Sequence, residues 1–287
     1  MAETAAYLVD HVFPRLPVRQ WVLSFPKRLR YHLDDAELQN AVLHRFLRCI
    51  KQGMRQGLVE ADGRTRLGAV VLIHRFGALL NAHLHFHVVV IDGVFCGEDA
   101  ETLRFEAVRL APEAVQRLLA TIRKRIVRLF VRRGRLDKAE GDALCACEHG
   151  GGFSLDAGVR IEASDRQGLE RLLRYGARPA FAQERLRQID AEHLVYESPK
   201  PGPGGRVSQI LTPLELMDRL AALIPPPPAT PASLLRCAGA EFAAAAGGHG
   251  AGGGARARAG QGGGRGRGKR RQSGGAICVG DAAGAHR

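Results

Sequence analysis

The spacing of apolar and polar residues along the chain predicts a series of short strands and longer helices. Stretches that alternate apolar with polar residues, or form short apolar runs, are predicted to be strands: 19–26, 66–77, 80–95, 153–163 and two within 193–212. Stretches whose apolar residues recur every three or four positions are predicted to be helices: 38–50, 112–130, 164–175 and 212–224. This order indicates an α+β fold with an antiparallel sheet at its centre.

Capping residues mark where the predicted helices begin. Asp34 and Asp35 both precede the first helix and carry the short carboxylate side chain that suits an N-cap. Ser164 is followed three residues later by Gln167, which predicts a capping box for the third helix. Thr212 precedes a proline at the start of the last helix, which is a further N-terminal signal.

The composition changes abruptly after residue 224 and divides the chain into three parts. These are a lead-in segment, 1–17, a folded domain, 18–224, and a tail, 225–287, that is rich in Pro, Gly and Arg. The tail has too few apolar residues to form a core, so it is expected to be disordered. It is either a genuine arm that binds nucleic acid or the product of a frameshift in a GC-rich gene.

The net charge and the cysteines indicate which partner and which compartment to expect for this protein. The formal net charge of +13 favours a polyanionic partner, above all nucleic acid, although about half of this charge lies in the tail. Lys124 and Arg128 lie off the apolar stripe of the second helix and are either part of a solvated face or contacts to a DNA backbone. The six cysteines show no paired framework and no 18-residue apolar run occurs, so a cytoplasmic protein without membrane segments is expected.

The predicted strand 80–95 carries three histidines with a spacing of two residues. Since side chains alternate across a strand, His83, His85 and His87 are predicted to share one face while their apolar neighbours enter the core. Such a row is a metal site, a polar sheet surface or a coincidence. Neutral imidazole suits Mn, Zn and related ions, whereas Mg requires more oxygen ligands. Asp92, at the end of the strand, is expected to cap a turn.

A tyrosine near the end of the third predicted helix is a candidate nucleophile. Tyr175 is flanked by Arg174 and Arg178, which can bind phosphates and favour the phenolate. A metal ion on the same phosphate would make phosphorus more electrophilic. Taken alone, a tyrosine in this position is more often a core or interface residue.

Four segments in a fixed order resemble a known family. They are VRQWVLSFPKRLRYHL at 18–33, HFHVVVIDGVF at 85–95, LLRYGARPAFAQERL at 172–186 and LTPLELMDRLAALIPPP at 211–227. Together they are similar to the HUH rolling-circle transposases of bacterial insertion sequences. The resemblance extends over roughly residues 1–230.

The resemblance implies a fold, a metal site and a reaction. The fold would be a ferredoxin-like palm, with His85 and His87 on its central strand holding a divalent Mg or Mn ion. Tyr175 would attack single-stranded DNA at the element ends and leave a 5′-phosphotyrosine and a free 3′-OH. The third metal ligand is left open between Gln183 and His83. Arg174, Arg178, Lys124 and Arg128 are the expected DNA contacts.

Two departures from the family pattern qualify this expectation. Many relatives carry a second tyrosine one helical turn earlier, where this chain has Arg171, so the chain resembles the single-tyrosine branch of common-region elements. One nucleophile cannot hold two cleaved strands at once, so a homodimer or sequential reuse is expected. The cysteine-rich zinc-binding domain that normally begins the family is expected to be missing.

Three functional hypotheses follow from these features. The first is a metal-dependent strand transferase that uses Tyr175. The second is a truncated remnant that binds DNA but has lost catalysis. The third is a hydrolytic metallophosphoesterase in which water replaces the tyrosine as nucleophile.

Overall fold

The computed structural model describes residues 2–58, 65–97, 102–148, 150–178, 181–198, 201, 203–205, 207–224 and 276–278. Within these residues the α-helices are α1 (Ala2–Tyr7), α2 (Lys27–Arg30), α3 (Ala36–Arg55), α4 (Pro112–Arg132), α5 (Lys138–Ala146), α6 (Arg166–Gly176) and α7 (Pro213–Leu223). The strands are β1 (Val18–Ser24), β2 (Thr65–Arg66), β3 (Ala69–Phe76), β4 (Ala82–Ile91), β5 (Gly93–Cys96), β6 (Arg104–Ala107), β7 (Ser154–Asp156), β8 (Arg160–Ile161), β9 (Leu186–Gln188), β10 (Leu194–Glu197), β11 (Ser208–Leu211) and β12 (Ala276–Cys278).

The largest sheet is antiparallel and has the strand order β12-β3-β4-β1-β7, with β8 also paired to β1. Two further sheets have three strands each, in the orders β11-β10-β9 and β2-β5-β6. The predicted α+β class with a central antiparallel sheet is therefore confirmed. The predictions made for the tail fall outside the described residues, apart from the three residues of β12.

The alternation of side chains gives the central sheet two different faces. On one face Leu84, Phe86 and Val88 of β4 join the main core with α3 and α4. On the other face Val89 and Ile91 of the same strand pack in a second core with α1 and α6. The histidines of β4 share this second face, because they occupy the alternate positions. The sheet therefore separates the histidine row from α3 and α4.

Two helix caps follow the sequence prediction and one does not. The Asp35 side chain accepts hydrogen bonds from the first-turn N–H groups of α3, and Thr212 forms a capping box with Glu215 at α7. The capping box predicted for Ser164 and Gln167 is wrong, since Asp165 is the N-cap of α6 and accepts from the backbone N–H of Gly168. The cap therefore falls one residue later than its sequence signature.

Asp92 is a buried ion-pair centre rather than only a turn residue. Its carboxylate, 2% exposed, accepts two hydrogen bonds from Arg19, at 2.9 and 3.0 Å, and one from Arg160 at 2.6 Å. These contacts tie the end of β4 to β1 and β8. Sequence spacing did not reveal this role, because both arginines are more than sixty residues away along the chain.

Replacing Asp92 with alanine is expected to lower the free energy of unfolding by about 3–5 kcal/mol, because Arg19 would be left as a mostly buried, unpaired charge. Urea titration followed by circular dichroism measures this loss. Glu106→Ala is the matched control, since it removes an exposed ion pair with Arg104 and should cost about 1 kcal/mol or less. Equal losses in the two variants would contradict the structural role of Asp92.

Candidate metal and nucleophile site

The C-terminal end of α6 lies directly on β3. A Cβ atom on Gly176 would overlap Leu72 Cδ1, so a larger residue here would require the Leu72 side chain to shift. The carbonyl oxygen of Gly176 accepts a hydrogen bond of 2.6 Å from His74 Nε2. At the other end of the helix, Arg166 donates to backbone carbonyls of the lead-in segment, including Phe13. The helix is thus fixed at both ends against the second face of the sheet.

Three histidines from β3 and β4 converge beneath this helix end. His74 pairs with His85 across the two strands, and His87 follows on the same face. The ring centroids of His74 and His87 are 4.3 Å apart, those of His85 and His87 4.9 Å, and those of His74 and His85 5.2 Å. One ligand atom from each ring lies within 4.8 Å of the others, so this group can hold a metal ion.

The hydrogen bonds of His85 and His74 determine which nitrogen is free. His85 Nδ1 lies 2.8 Å from the carbonyl oxygen of His83, which can only accept, so Nδ1 carries the proton and Nε2 keeps its lone pair. His74 donates through Nε2, so its Nδ1 keeps the lone pair. This Nδ1 is buried and has no hydrogen-bond partner among the described residues. Metal-binding histidines commonly donate their second ring N–H to a carbonyl in this way.

The free nitrogen of His87 depends on Gln20 of β1. The Gln20 amide lies 3.0 Å from His87 Nδ1, and both residues are buried. If the amide oxygen faces Nδ1, this nitrogen is protonated and Nε2 is available for a metal. If the amide nitrogen faces Nδ1, this ring nitrogen accepts a hydrogen bond and the proton is on Nε2, which is then not available for a metal. Gln20 therefore controls whether His87 can be the third ligand.

Burial keeps all three imidazoles uncharged. It lowers the pKa of His85 to about 4 and that of His87 to about 3, with further lowering by the neighbouring histidines and Arg178. Burial also lowers the pKa of His74. Because neutral imidazole is the metal-binding form, the group needs no deprotonation at neutral pH to bind a metal ion.

Of the two residues proposed from sequence as the third ligand, His83 is engaged elsewhere. Arg30 donates a hydrogen bond of 3.0 Å to His83 Nδ1, and since a guanidinium can only donate, the proton of neutral His83 is on Nε2. Neither nitrogen then has a free lone pair. Gln183 is exposed at the start of a short 3₁₀ helix, and its role as a ligand stays a prediction.

Sequence reasoning missed His74. It lies in the segment 66–77, which was correctly predicted to be a strand, but it stands alone there without the repeat that marked the other histidines. Pairing the two predicted strands as a hairpin could have identified His74 from the sequence. A tight connection between the two strands places residue 74 opposite residue 85 on the same face.

Tyr175 lies beside the histidine group. Its side chain is 45% exposed, and its ring centroid is 6.4 Å from that of His87. The guanidinium carbon of Arg178 is 4.3 Å from the Tyr175 ring centroid, and Arg178 Nε is buried without a partner among the described residues. Arg174, in contrast, is exposed and pairs with Glu170 one turn earlier. Of the two arginines proposed as DNA contacts here, Arg178 is therefore the one that contacts the tyrosine.

The other two proposed DNA contacts lie on the opposite side of the sheet. Lys124 and Arg128 are exposed residues of α4, which packs on the first face. The central sheet therefore lies between them and Tyr175. Their surroundings form a separate surface.

The fold and the site define an α+β protein with a candidate three-histidine metal site next to a tyrosine and an arginine. Residues 68–235, more than half of the chain, match the model of the family described as "Putative transposase". The chain therefore belongs to this family of transposases, which are DNA-processing enzymes. Searches of curated proteins and of solved structures give no match. Among the described helices, none has both the length and the apolar character needed to cross a bilayer.

Substituting Gln20 with leucine is expected to weaken Mn²⁺ binding by about 10- to 100-fold, because His87 loses the partner that orients its ring and fixes its tautomer. Isothermal titration calorimetry measures this change. Gln20→Glu should bind at least as tightly as the wild type, since a carboxylate can only accept from Nδ1–H. Equal weakening in both variants would show that Gln20 acts only through packing.

Proposed function

We propose that this transposase cleaves and rejoins single-stranded DNA at element ends, with a metal ion on the three histidines and Tyr175 as nucleophile. This assigns it to the HUH type and to its single-tyrosine branch. The observation that carries the proposal is the position of Tyr175, whose ring lies 6.4 Å from His87 on the face that holds the histidine group.

The donor set fits a divalent transition-metal ion. His74, His85 and His87 would hold it through three neutral imidazoles, and the unpartnered Nδ1 of His74 supports this assignment. Imidazole binds transition-metal ions better than Mg²⁺, which prefers oxygen, so of the two expected ions Mn²⁺ suits the site better. When bound, the ion would polarise the scissile phosphate and orient it.

The side chains of the protein supply the remaining chemistry. Arg178 would bind a non-bridging phosphate oxygen and stabilise the charge that develops there. The Tyr175 phenolate oxygen would form a bond to phosphorus while the bond from phosphorus to the 3′-oxygen breaks. The phenol proton leaves to solvent, and the departing 3′-oxygen takes up a proton. No water is consumed, so the phosphotyrosine ester can be attacked later by a 3′-OH.

The residue one turn before Tyr175 supports the use of a single nucleophile. Arg171 is exposed on α6. A single phenol can hold only one cleaved 5′ end at a time. We therefore propose that a complete exchange uses either a second copy of the chain or two successive reactions at the same site.

Covalent capture tests the proposal. The protein is incubated with Mn²⁺ and single-stranded oligonucleotides that tile the DNA flanking the gene, and the products are separated under denaturing conditions. The expected result is a protein–DNA adduct that mass spectrometry locates at Tyr175. Binding without cleavage or an adduct would instead identify a catalytically inactive remnant. Cleavage without an adduct, together with incorporation of oxygen from labelled water, would identify a hydrolytic enzyme.

A further inference from the structure

A basic groove lies between α3, α4 and α5, on the face of the central sheet that is opposite to the histidine group. Its volume is about 800 Å³. Seven of its lining residues are cationic: Arg45, Arg48, Lys124, Arg125, Arg128, Arg132 and Lys138. Among the lining residues that the structure describes, the only acidic one is Asp142. No step of the proposed cleavage reaction uses this groove.

The cations form rows along the helices. Lys124, Arg128 and Arg132 are spaced by four residues on α4, so they lie on one face of the helix and extend over about 12 Å along its axis. All three are exposed. Arg45 and Arg48 face them from α3. Since one strand of B-DNA presents a phosphate about every 3.4 Å of helix axis, the α4 row matches roughly three or four successive phosphates.

Among the described residues, little of the positive charge of the groove is neutralised. Within the part of the chain that the structure describes, Arg48, Lys124, Arg128 and Arg132 form no ion pair. Burial lowers the pKa of Arg45, and the positive charges of Arg132, Arg48 and Arg133 lower it further. Like charges on neighbouring turns repel each other, so the arrangement is unfavourable until an anion binds.

The uncharged lining residues indicate which form of nucleic acid fits. They are Gln52, Val127, Val131, Gly141 and Cys145. None of the described lining residues is aromatic. Grooves that bind single strands normally combine cations with aromatic side chains on which unpaired bases stack. A groove with many cations and no stacking side chain suits contacts to the phosphates of an intact duplex better than stacking with unpaired bases.

We propose that this groove binds the phosphate backbone of duplex DNA, while the histidine group and Tyr175 on the other face act on a single strand. The groove would hold the double-stranded DNA adjoining the cleaved end. The inference takes DNA as the partner from the transposase family, but it does not require that Tyr175 reacts. Failure of the cleavage proposal would therefore leave it intact.

Binding measurements on charge-matched variants test the proposal. The groove variant is Arg48→Gln/Arg128→Gln/Arg132→Gln. The control, Arg104→Gln/Arg109→Gln/Arg187→Gln, removes the same charge from exposed arginines outside the groove. All proteins carry Tyr175→Phe and are kept in EDTA, so that cleavage does not contribute. Fluorescence anisotropy follows binding to a 20-base-pair duplex, and to one of its strands, from about 50 to 200 mM salt.

The groove variant is expected to bind the duplex at least about tenfold more weakly than the control does. The slope of log K against log salt should fall in magnitude by about 0.9 for each phosphate that the protein no longer neutralises. Arg48→Lys/Arg128→Lys/Arg132→Lys, which keeps the charge, should retain most of the duplex affinity. Equal weakening in the groove and control variants would overturn the proposal, since only net charge would then matter. A weakening confined to the single strand would overturn the assignment to duplex DNA.

Discussion

Tyr175→Phe is expected to abolish the covalent protein–DNA adduct and to reduce strand cleavage at least about a thousandfold, because removal of a nucleophile eliminates the covalent route. The substitution deletes one oxygen atom from a side chain that is 45% exposed, so the free energy of unfolding should change by less than about 0.5 kcal/mol. The ring and its contact with Arg178 are retained. Denaturing electrophoresis with an end-labelled strand measures the adduct and the cleavage together.

Tyr31→Phe is the matched control for this variant. Tyr31 is also exposed, at 63%, but it lies on the short 3₁₀ helix after α2 and not on α6. It should form the adduct at the wild-type rate. If Tyr175→Phe still formed an adduct while Tyr31→Phe did not, the nucleophile would be misassigned. If Tyr175→Phe cleaved DNA at the wild-type rate without forming an adduct, water would be the nucleophile and the strand-transfer mechanism would be wrong.

His74→Ala is expected to raise the Kd for Mn²⁺ more than about 100-fold. The loss of a residue that only orients a ligand costs about 10- to 100-fold, and His74 is proposed to be a ligand itself. Thermal unfolding measured with and without Mn²⁺ separates binding from folding. At a Mn²⁺ concentration about 100 times the wild-type Kd, the wild type should gain about 2.7 kcal/mol of stability. The variant, with a Kd about 100-fold higher, should gain about 0.4 kcal/mol.

His83→Ala tests whether His74 or His83 completes the site. His83 is on the same strand face as His85 and His87, but its Nδ1 accepts from Arg30. Its replacement should leave the Mn²⁺-dependent gain in stability near the wild-type value. The opposite result, a normal gain in His74→Ala and none in His83→Ala, would show that His83 completes the site. It would also require Arg30 to move away from His83 when the metal binds.

The two proposed DNA-binding surfaces lie on opposite faces of the central sheet. Tyr175 and Arg178 lie on the face of the sheet covered by α6, whereas Arg48, Arg128 and Arg132 lie in the groove on the other face. Lys124 and Arg128 were expected from the sequence to contact DNA together with Arg174 and Arg178. The sheet separates them, so substitutions in α4 should alter duplex binding without changing the geometry of the histidine group.

Local periodicity was sufficient to determine several features from the sequence alone. Alternation along 80–95 predicted that His85 and His87 share one face, because side chains on any strand alternate. The helical spacing and the proline that opens α4 predicted that helix, and the short polar side chain before α3 predicted its cap. These features depend only on residues close in sequence. The α+β class followed from them, since it requires only the order of the elements.

Features formed by residues distant in sequence were decided only by the tertiary structure. His74 joins the site through the register of a hairpin, Gln20 through the pairing of β1 with β4, and Tyr175 through the packing of Gly176 against Leu72. Asp92 acquires its role because β1 and β8 bring Arg19 and Arg160 to it. A sequence pattern records which face of an element a residue occupies but not which other element covers that face. Strand register and helix packing determine which element covers each face, and they therefore determine which residues form the site.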